Sequence, residues 1–384
     1  MITPPQEPFI LFRDDLSRRE TLFDRPEELL AADTLDGLET VFKKIEAARA
    51  AGKWTAGYFS YEAGALFEPK LASTLLSGRR IPLCMFGIFG APEVRRPRAG
   101  AAMPGWILHE PRTAWSFEAY EKRFDSVHQH LREGDCYQAN LTFPITAKWQ
   151  GDPAAIFDEL ARRQPVRHSA FVSYSETKIL SRSPELFFKT DREGWIESLP
   201  MKGTARRGKT PASDKAQKRF LASDPKNQSE NRMIVDLLRN DISRISEAGT
   251  LSVPKLFKIE TYETLHQMVS LVRAKLLPGL TIRDIFEALF PCGSITGAPK
   301  LSAMTILQAL EQKPRGIYCG AIGWIAPDGR MQFNVAIRTL TLYPGGEAVF
   351  NVGGGVVFDS TAEEEYAECQ LKTRFALGDM KISS

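Results

Sequence analysis

Several acidic, basic and glycine residues stand at spacings that ordinary packing does not explain. In the segment 224–240, Asp224-Pro225 reads as a helix start, with Asp as N-cap and Pro in the first turn. The apolar stripe of that helix is Met233, Ile234, Leu237 and Leu238. Glu230 lies three and four residues before that stripe and projects from the same face. A carboxylate there either reaches water at the boundary of the core or is paired or metal-bound. Near the C-terminus, Glu365, Glu368 and Lys372 fall within one helical arc, and Leu371 and Phe375 share the side of Glu368. The pattern suits an exposed ladder of Glu-to-Lys pairs. It equally suits two carboxylates and a cation facing a pocket, and hard oxygen donors of this kind match Mg²⁺.

Three glycine-rich turns add to this. Pro200-Met-Lys-Gly-Thr204 ends a strand with a lysine in the turn, Pro291-Cys-Gly-Ser-Ile-Thr-Gly-Ala-Pro-Lys300 leads into a helix, and Gly353-Gly-Gly355 interrupts a strand pattern. Glycine inside a strand marks a bulge or the close approach of a ligand. GSITGAPK lacks the GxxxxGK[ST] spacing of a nucleotide loop, although its backbone N–H groups ahead of a helix suit a carboxylate. The basic run Ala205-Arg-Arg-Gly-Lys209 and Lys226 have no interleaved aromatics, which argues against nucleic acid.

The elements that must carry these residues alternate along the chain. Helices are expected at 34–48, 116–133, 224–240, 281–289 and 301–312, and a last one opens at Ser360 with a Ser360–Glu363 capping box. Strands are expected at 57–61, 141–149, 170–174, 179–181, 186–190, 320–325, 332–342 and 348–358. Residues 90–106 are rich in Pro, Gly and Arg and read as a connection, with Arg95, Arg96 and Arg98 in a solvated loop. This divides the chain into an N-terminal lobe, 1–112, and a larger region, 113–384, packed together as one unit. Strands separated by tight turns and long helices favour an α+β fold with antiparallel sheets.

Composition excludes other classes. The 384 residues are 43% hydrophobic, 25% charged and 10% aromatic, with net charge +3, which is ordinary for a globular protein with a large core. That charge is too mild to argue for nucleic acid or a membrane surface. The five cysteines, Cys84, Cys136, Cys292, Cys319 and Cys369, show no metal or redox spacing and read as reduced, buried thiols of a cytoplasmic protein. MITPPQEPF is no signal peptide, and no stretch reaches the ~18 apolar residues of a membrane helix.

In order, SRSPELFFK, PMKGTARRG, ENRMIVDLLRNDISRI, FPCGSITGAPK, RGIYCGAIGWI, FNVAIRTL, GGGVVFDS and EEEYAECQLK resemble the chorismate-utilising enzymes. The resemblance runs from about residue 113 to 378, and GYFSYEAG fits it in the N-terminal lobe. It implies two large antiparallel sheets packed orthogonally with helices outside, in α/β/β/α layers. It also implies a site between the sheets that holds the dicarboxylate chorismate through one Mg²⁺. Glu230 and Glu368 then match metal ligands, with Glu365 a second acidic residue beside them. Arg338 and Tyr318 match a pair that grips a substrate carboxylate, which suits the planar guanidinium fork. Thr296 falls among the substrate contacts, Gly354 and Gly355 match backbone donors, and Lys372 matches a cation at the site. Glu185 matches the general acid that protonates the departing C4 hydroxyl, so its pKa must rise above the ordinary value of about 4.3.

Three positions choose among the branches of that family. Aminodeoxychorismate synthases are similar to this chain in carrying P-[IM]-K-G-T, whereas anthranilate synthases usually have alanine in place of Lys202. In the family this lysine attacks C2, which needs a neutral amine, while a free lysine has a pKa of about 10.4. Gln138 stands where isochorismate and salicylate synthases carry a water-activating lysine, and an amide cannot serve as that base. Gln267 stands where many members carry a histidine that anthranilate synthases link to pyruvate elimination, with His266 as its neighbour. The resemblance therefore implies amination of chorismate at C4. Anthranilate formation and a catalytically silent chorismate-binding subunit are the alternatives. No tryptophan-binding LLES segment and no glutaminase triad appear. Ammonia is expected from a separate amidotransferase subunit, with a separate lyase acting downstream.

Overall fold

The computed structural model describes residues 6–73, 75–97, 107–262, 265–380 and 382–383. Arg98 and most of the glycine-rich part of the expected connection lie outside them. Among the described residues the chain builds two ten-stranded sheets. The first sheet runs, in order, Gly297–Ala298, Gln138–Gln150, Glu347–Val356, Thr339–Leu342, Lys178–Ser183, His168–Ser173, Phe9–Asp14, Arg19–Asp24 and Glu93–Arg95. Ile107–Thr113 pairs onto Gln138–Gln150 beside this path. The second sheet runs Met201–Arg206, Leu265–Lys275, Trp195–Leu199, Leu186–Thr190, Met331–Val335, Ala321–Ile325, Trp54–Phe59, Cys84–Phe89 and Glu28–Ala32, with Ser252–Thr261 pairing onto Leu265–Lys275. The ladders within both sheets are antiparallel, and N-terminal strands extend each of them.

Side-chain alternation explains why the sheets stack. Successive residues of a strand point to opposite faces. Ile10, Ala170, Val172 and Ile179 of the first sheet meet Ala56, Tyr58, Phe89 and Ile322 of the second in one buried layer. Their neighbours Phe9, Leu11, Phe171 and Leu180 turn the other way, onto Tyr120, Phe124, Ile156 and Leu307 of the outer helices. Phe59 and Phe86 of the second sheet likewise meet Phe42, Ile234 and Phe286 of helices on its far side. The layers are therefore helix, sheet, sheet, helix. No helix among the described residues is long and apolar enough to cross a membrane.

Most helix starts follow the expected caps. Thr34, Ser116 and Asp224 accept from Gly37, Ala119 and Asn227 N–H groups, and Gly134 closes its helix at φ +80°. The last helix, Ala362–Lys372, is capped by Thr361 and not by Ser360; Ser360 instead donates to Glu365 at 2.7 Å. Arg95 is no solvated loop residue. It sits in the strand Glu93–Arg95 and pairs with the buried Glu20 at 2.9 Å. The helix Pro225–Ser243 is rotated from the expected stripe: its buried line is Asn231, Ile234, Val235, Leu238 and Ile242. Glu230 therefore shares the half-buried flank with Met233 and Leu237. Leu371 is exposed, and Ala362–Lys372 ends before Phe375, which is buried in a short following helix, Arg374–Leu377.

The expected strand 332–342 is two strands in two different sheets, Met331–Val335 and Thr339–Leu342. Ala336-Ile337-Arg338 carries the chain across, with Arg338 at φ +50°. Earlier in the chain, a first crossing at Pro184-Glu185 joins Lys178–Ser183 of the first sheet to Leu186–Thr190 of the second. The two crossings are bonded together: Arg182 N–H donates to Arg338 O at 2.9 Å, Val335 N–H to Glu185 O at 3.2 Å, and Ser183 Oγ to Val335 O at 2.6 Å.

A buried ionic network backs this seam. Arg315 donates to both oxygens of Glu311, to Ile295 O at 3.1 Å and to Asn140 O at 2.8 Å. Glu311 in turn accepts from Thr142 N–H and Oγ, each at 2.9 Å. Removing one member of a buried pair strands the other charge, at a cost of about 3–5 kcal/mol. Arg315→Met is therefore expected to lose about that much stability in urea, and adding Glu311→Gln to recover part of it. A loss below about 1 kcal/mol would show that the network is dispensable.

Candidate active site

Glu185, at the first crossing, is buried and accepts from Ser294 Oγ at 2.9 Å. Burial pushes its carboxyl up to about 7, against the opposing pull of Ser294, Lys202 and Arg338. The carboxyl is thus held near the point where it can keep a proton at neutral pH. Arg338, at the second crossing, has its pKa lowered by burial to about 10, with Glu185 opposing that shift. Among the described residues its guanidinium has no side-chain partner in a hydrogen bond or ion pair, which leaves its donors available. Tyr318 is buried in the turn before Ala321–Ile325, and burial raises its phenol well above the usual range. Thr296 is fully buried; its hydroxyl donates to Cys292 O and its carbonyl accepts from Asn140 N–H.

Lys202 comes from the edge of the second sheet, where the pairing of Met201–Arg206 with Leu265–Lys275 slips between Met201 and Thr204. A bulge of this kind redirects a side chain out of the regular pleat. The Lys202 ammonium lowers the carboxyl pKa of Glu185, Glu365 and Glu368, which makes it the shared cation of three acids. A side chain on Gly355 would place its Cβ 3.3 Å from Lys202 Nζ and 2.8 Å from Gln138 Nε2. Lysine and amide thus converge on one point above a glycine floor. Gln138 is 1% exposed and among the described residues its Nε2 has no partner, so a buried donor is left open at that point. On Gly354 the same Cβ would lie 2.5 Å from Glu365 Oε2. A side chain at either position would have to displace these polar side-chain ends, so glycine leaves them the space they occupy.

The last helix supplies the acids. Burial raises the Glu365 carboxyl, and the like charge of Glu368 adds to it. Glu368 is lowered, chiefly by Lys372, with Lys202 and Lys226 contributing. Lys372 donates to Glu368 at 2.7 Å and to Gly353 O at 2.7 Å. Burial, the largest single effect, works to lower its ammonium, but Glu368, Cys369 and Glu365 together outweigh it and the pKa rises. Lys226 is one turn before Glu230 in Pro225–Ser243, so the two share a helix face. The charge of Lys226 contributes, as the smallest of the named causes, to lowering Glu368. Glu230, Glu365 and Glu368 thus offer hard oxygens from two helices, a donor set that suits Mg²⁺. Their ligand atoms are not all within 4.8 Å of one another; among the described residues that closeness occurs only at His130, Glu133 and Asp135, an exposed helix end. The structure therefore brings Glu185, Lys202, Gly354, Gly355, Glu365, Glu368 and Lys372 into one electrostatic unit. Among the described residues, Glu230, Thr296 and Tyr318 make no hydrogen bond to a member of that unit; Glu230 is half-buried, and Thr296 and Tyr318 are buried.

Two residues were not legible as site members. Ser294 carries the hydrogen bond to Glu185, and only its place in GSITGAPK pointed to it. Gln267 donates to Gly203 O beside Lys202. His266 faces away: its Nε2 meets Asp214 at 2.9 Å and its Nδ1 meets Thr261 at 3.1 Å.

Known proteins resemble this chain in sequence and in fold. "Aminodeoxychorismate synthase component 1" of Klebsiella aerogenes is 43% identical over 260 residues, 67% of this chain and 57% of that protein, so the match spans little more than half of the relative's length. "Anthranilate synthase component 1" of Methanothermobacter thermautotrophicus is 31% identical over 349 residues, 85% of this chain and 74% of that protein. The crystal structure of anthranilate synthase component I from Streptococcus pneumoniae superposes with a TM-score of 0.79 at 23% identity, covering 97% of this chain and 93% of its own, and shares the fold. Residues 95–378 match the description of the chorismate binding enzymes, and the chain belongs to that family.

Proposed function

We propose that this chain aminates chorismate at C4 to give 4-amino-4-deoxychorismate, as component I of an aminodeoxychorismate synthase. The observation that carries this reading is the convergence of Lys202 Nζ and Gln138 Nε2 above Gly355. A lysine is available there as nucleophile, and the neighbouring amide cannot activate water. The relative named for this reaction, at 43% identity, supports the same branch. The longer match to an anthranilate synthase favours anthranilate formation as the second reading. Gln267 argues against it, because an amide cannot perform the proton transfer of the histidine found there in many members.

Arg338 and Tyr318 grip one substrate carboxylate. Glu230, Glu365 and Glu368 would hold Mg²⁺, which would bind substrate carboxylate oxygen and offset its charge when present. Lys202 Nζ bonds to C2 as the ring double bonds shift and the C4–oxygen bond breaks, and Glu185 gives its proton so that the hydroxyl leaves as water. Ammonia then bonds to C4, the double bonds shift back and the C2–nitrogen bond breaks. The proton released by the incoming nitrogen returns to Glu185, and the net exchange is ammonia for water. A glutaminase subunit would supply the ammonia, and a separate lyase would consume the product, in 4-aminobenzoate synthesis in the cytoplasm.

Three outcomes follow from these assignments. A carboxyl raised to about 7 holds its proton below that pH, while the Lys202 amine, ordinarily with a pKa of about 10.4, must lose its own to attack, so kcat/KM with saturating ammonia is expected to rise about tenfold per unit up to about 7 and to level off above it. The same shift makes Glu185 favour the folded state at low pH, the reverse of a salt-bridged acid, with that contribution lost between about 4.5 and 7. A profile that keeps rising through pH 7 without a break would remove Glu185 as the acid. Glu230→Gln and Glu368→Gln are expected to raise the Mg²⁺ requirement about tenfold or more with unchanged melting; an unaltered Mg²⁺ titration in both would dismiss the ligand set. Finally, with chorismate and Mg²⁺ but no ammonia, intact-mass analysis should find an adduct that maps to Lys202. Lys202→Ala and Lys202→Arg should both lose C4 amination, the latter because guanidinium stays protonated. Substantial activity in Lys202→Arg without an adduct on the native chain would reject covalent catalysis.

A further inference from the structure

The turn that presents Lys202 is held on two sides by side chains of other elements. Gly203 has φ +82°, which favours glycine, and a Cβ there would lie 2.6 Å from Asn227 Oδ1 at the start of Pro225–Ser243. The strand register is lost between Met201 and Thr204, so the ladder to Leu265–Lys275 does not fix Lys202 and Gly203. Gln267, 7% exposed on that neighbouring strand, fills the gap. Its Nε2 donates to Gly203 O at 2.8 Å, and its Oε1 accepts from Thr204 Oγ at 3.0 Å. The orientation of the amide is forced: a peptide carbonyl only accepts, so the nitrogen must face Gly203. One buried side chain thus replaces the missing backbone bonds on the C-terminal side of the bulge.

We infer that Gln267 is a positioning residue for Lys202, clamping the Gly203 carbonyl and the Thr204 hydroxyl so that the bulge aims Nζ at the point above Gly355. The inference rests on the proposed role of Lys202 as nucleophile. A nucleophile displaced by about 1 Å loses about 100-fold in rate, whereas distant substrate contacts are unaffected. Gln267 does not touch the carboxylate grip at Arg338, so the clamp acts on kcat and not on chorismate KM.

The test compares the full chain with Gln267→Met, which keeps the length and loses both bonds, and with Gln267→Glu, which keeps the acceptor and sets a carboxylate against Gly203 O. Two readouts are needed. One is kcat and KM for chorismate with ammonium and Mg²⁺. The other is the rate at which trace acetic anhydride acylates Lys202, measured by peptide mass spectrometry against the exposed Lys44. The expected result is a fall in kcat of about 10- to 100-fold in both variants, with chorismate KM within about twofold. Lys202 acylation is expected to change while Lys44 acylation and melting hold. Unchanged kcat and unchanged Lys202 acylation in Gln267→Met would overturn the clamp. So would a fall in kcat accompanied by lower melting and by faster acylation of all lysines, because that is general loosening. If Lys202→Ala itself aminates C4 normally, the nucleophile fails. The clamp then stands if Gln267→Met alters Lys202 acylation alone, and falls if it does not.

Discussion

Two crossings between the sheets, hydrogen-bonded to each other, set the terms for everything around them. Regular strands cannot place a charge in the layer between two stacked sheets without losing packing. Here the chain leaves the pleat at Pro184-Glu185 and again at Ala336–Arg338. Those irregular points place a buried carboxylic acid and a half-buried guanidinium among backbone groups that bond to one another. The acid is raised and the base is lowered by the same cause, burial, and each partly offsets the other. Because both sheets are covered by helices, neither crossing can slide out to water without opening the core.

The rest of the site is arranged around that fixed pair. Bonds to Lys202 itself do not hold it in place; the bulge, Gly203 and the amide of Gln267 do. The floor is stripped of side chains at Gly354 and Gly355, which leaves room for Glu365 on one residue and for Lys202 and Gln138 on the next. Charge alternates across the unit: Lys202 lies between Glu185 and the pair Glu365 and Glu368, and Lys372 fixes Glu368. Such a mixture suits a dianionic substrate, which needs cations at its carboxylates and a proton donor at its leaving group.

Much of this was written in the sequence. The capping residues Thr34, Ser116 and Asp224 start helices as their chemistry requires, and the order of the motifs points to the layered sheets. What failed were local rules that tertiary contacts override. Residues 332–342 read as one strand because alternation continues through Ala336 and Ile337, and nothing local reports that the chain changes sheets there. The helix Pro211–Ser223 begins with a Thr210 cap and Pro211, a legible start, but its apolar face is a single buried Leu221 and gives no periodicity. Ser360 looked like the cap of the last helix, yet its hydroxyl serves Glu365 and Thr361 takes the capping role. Glu230 was legible as an oddity, but the helix is rotated so that it sits on the flank. Gln267 was legible only as a departure from a family pattern; its partners are strand neighbours made adjacent by a register slip that the sequence does not announce.

The central claim is that this geometry delivers nitrogen to C4 and stops there. The direct measurement is the product formed from chorismate, Mg²⁺ and ammonium by the purified chain, identified by chromatography and mass spectrometry. The account predicts 4-amino-4-deoxychorismate, with the pyruvate side chain retained and no anthranilate. Anthranilate as the main product, or isochorismate formed without ammonium, would contradict it.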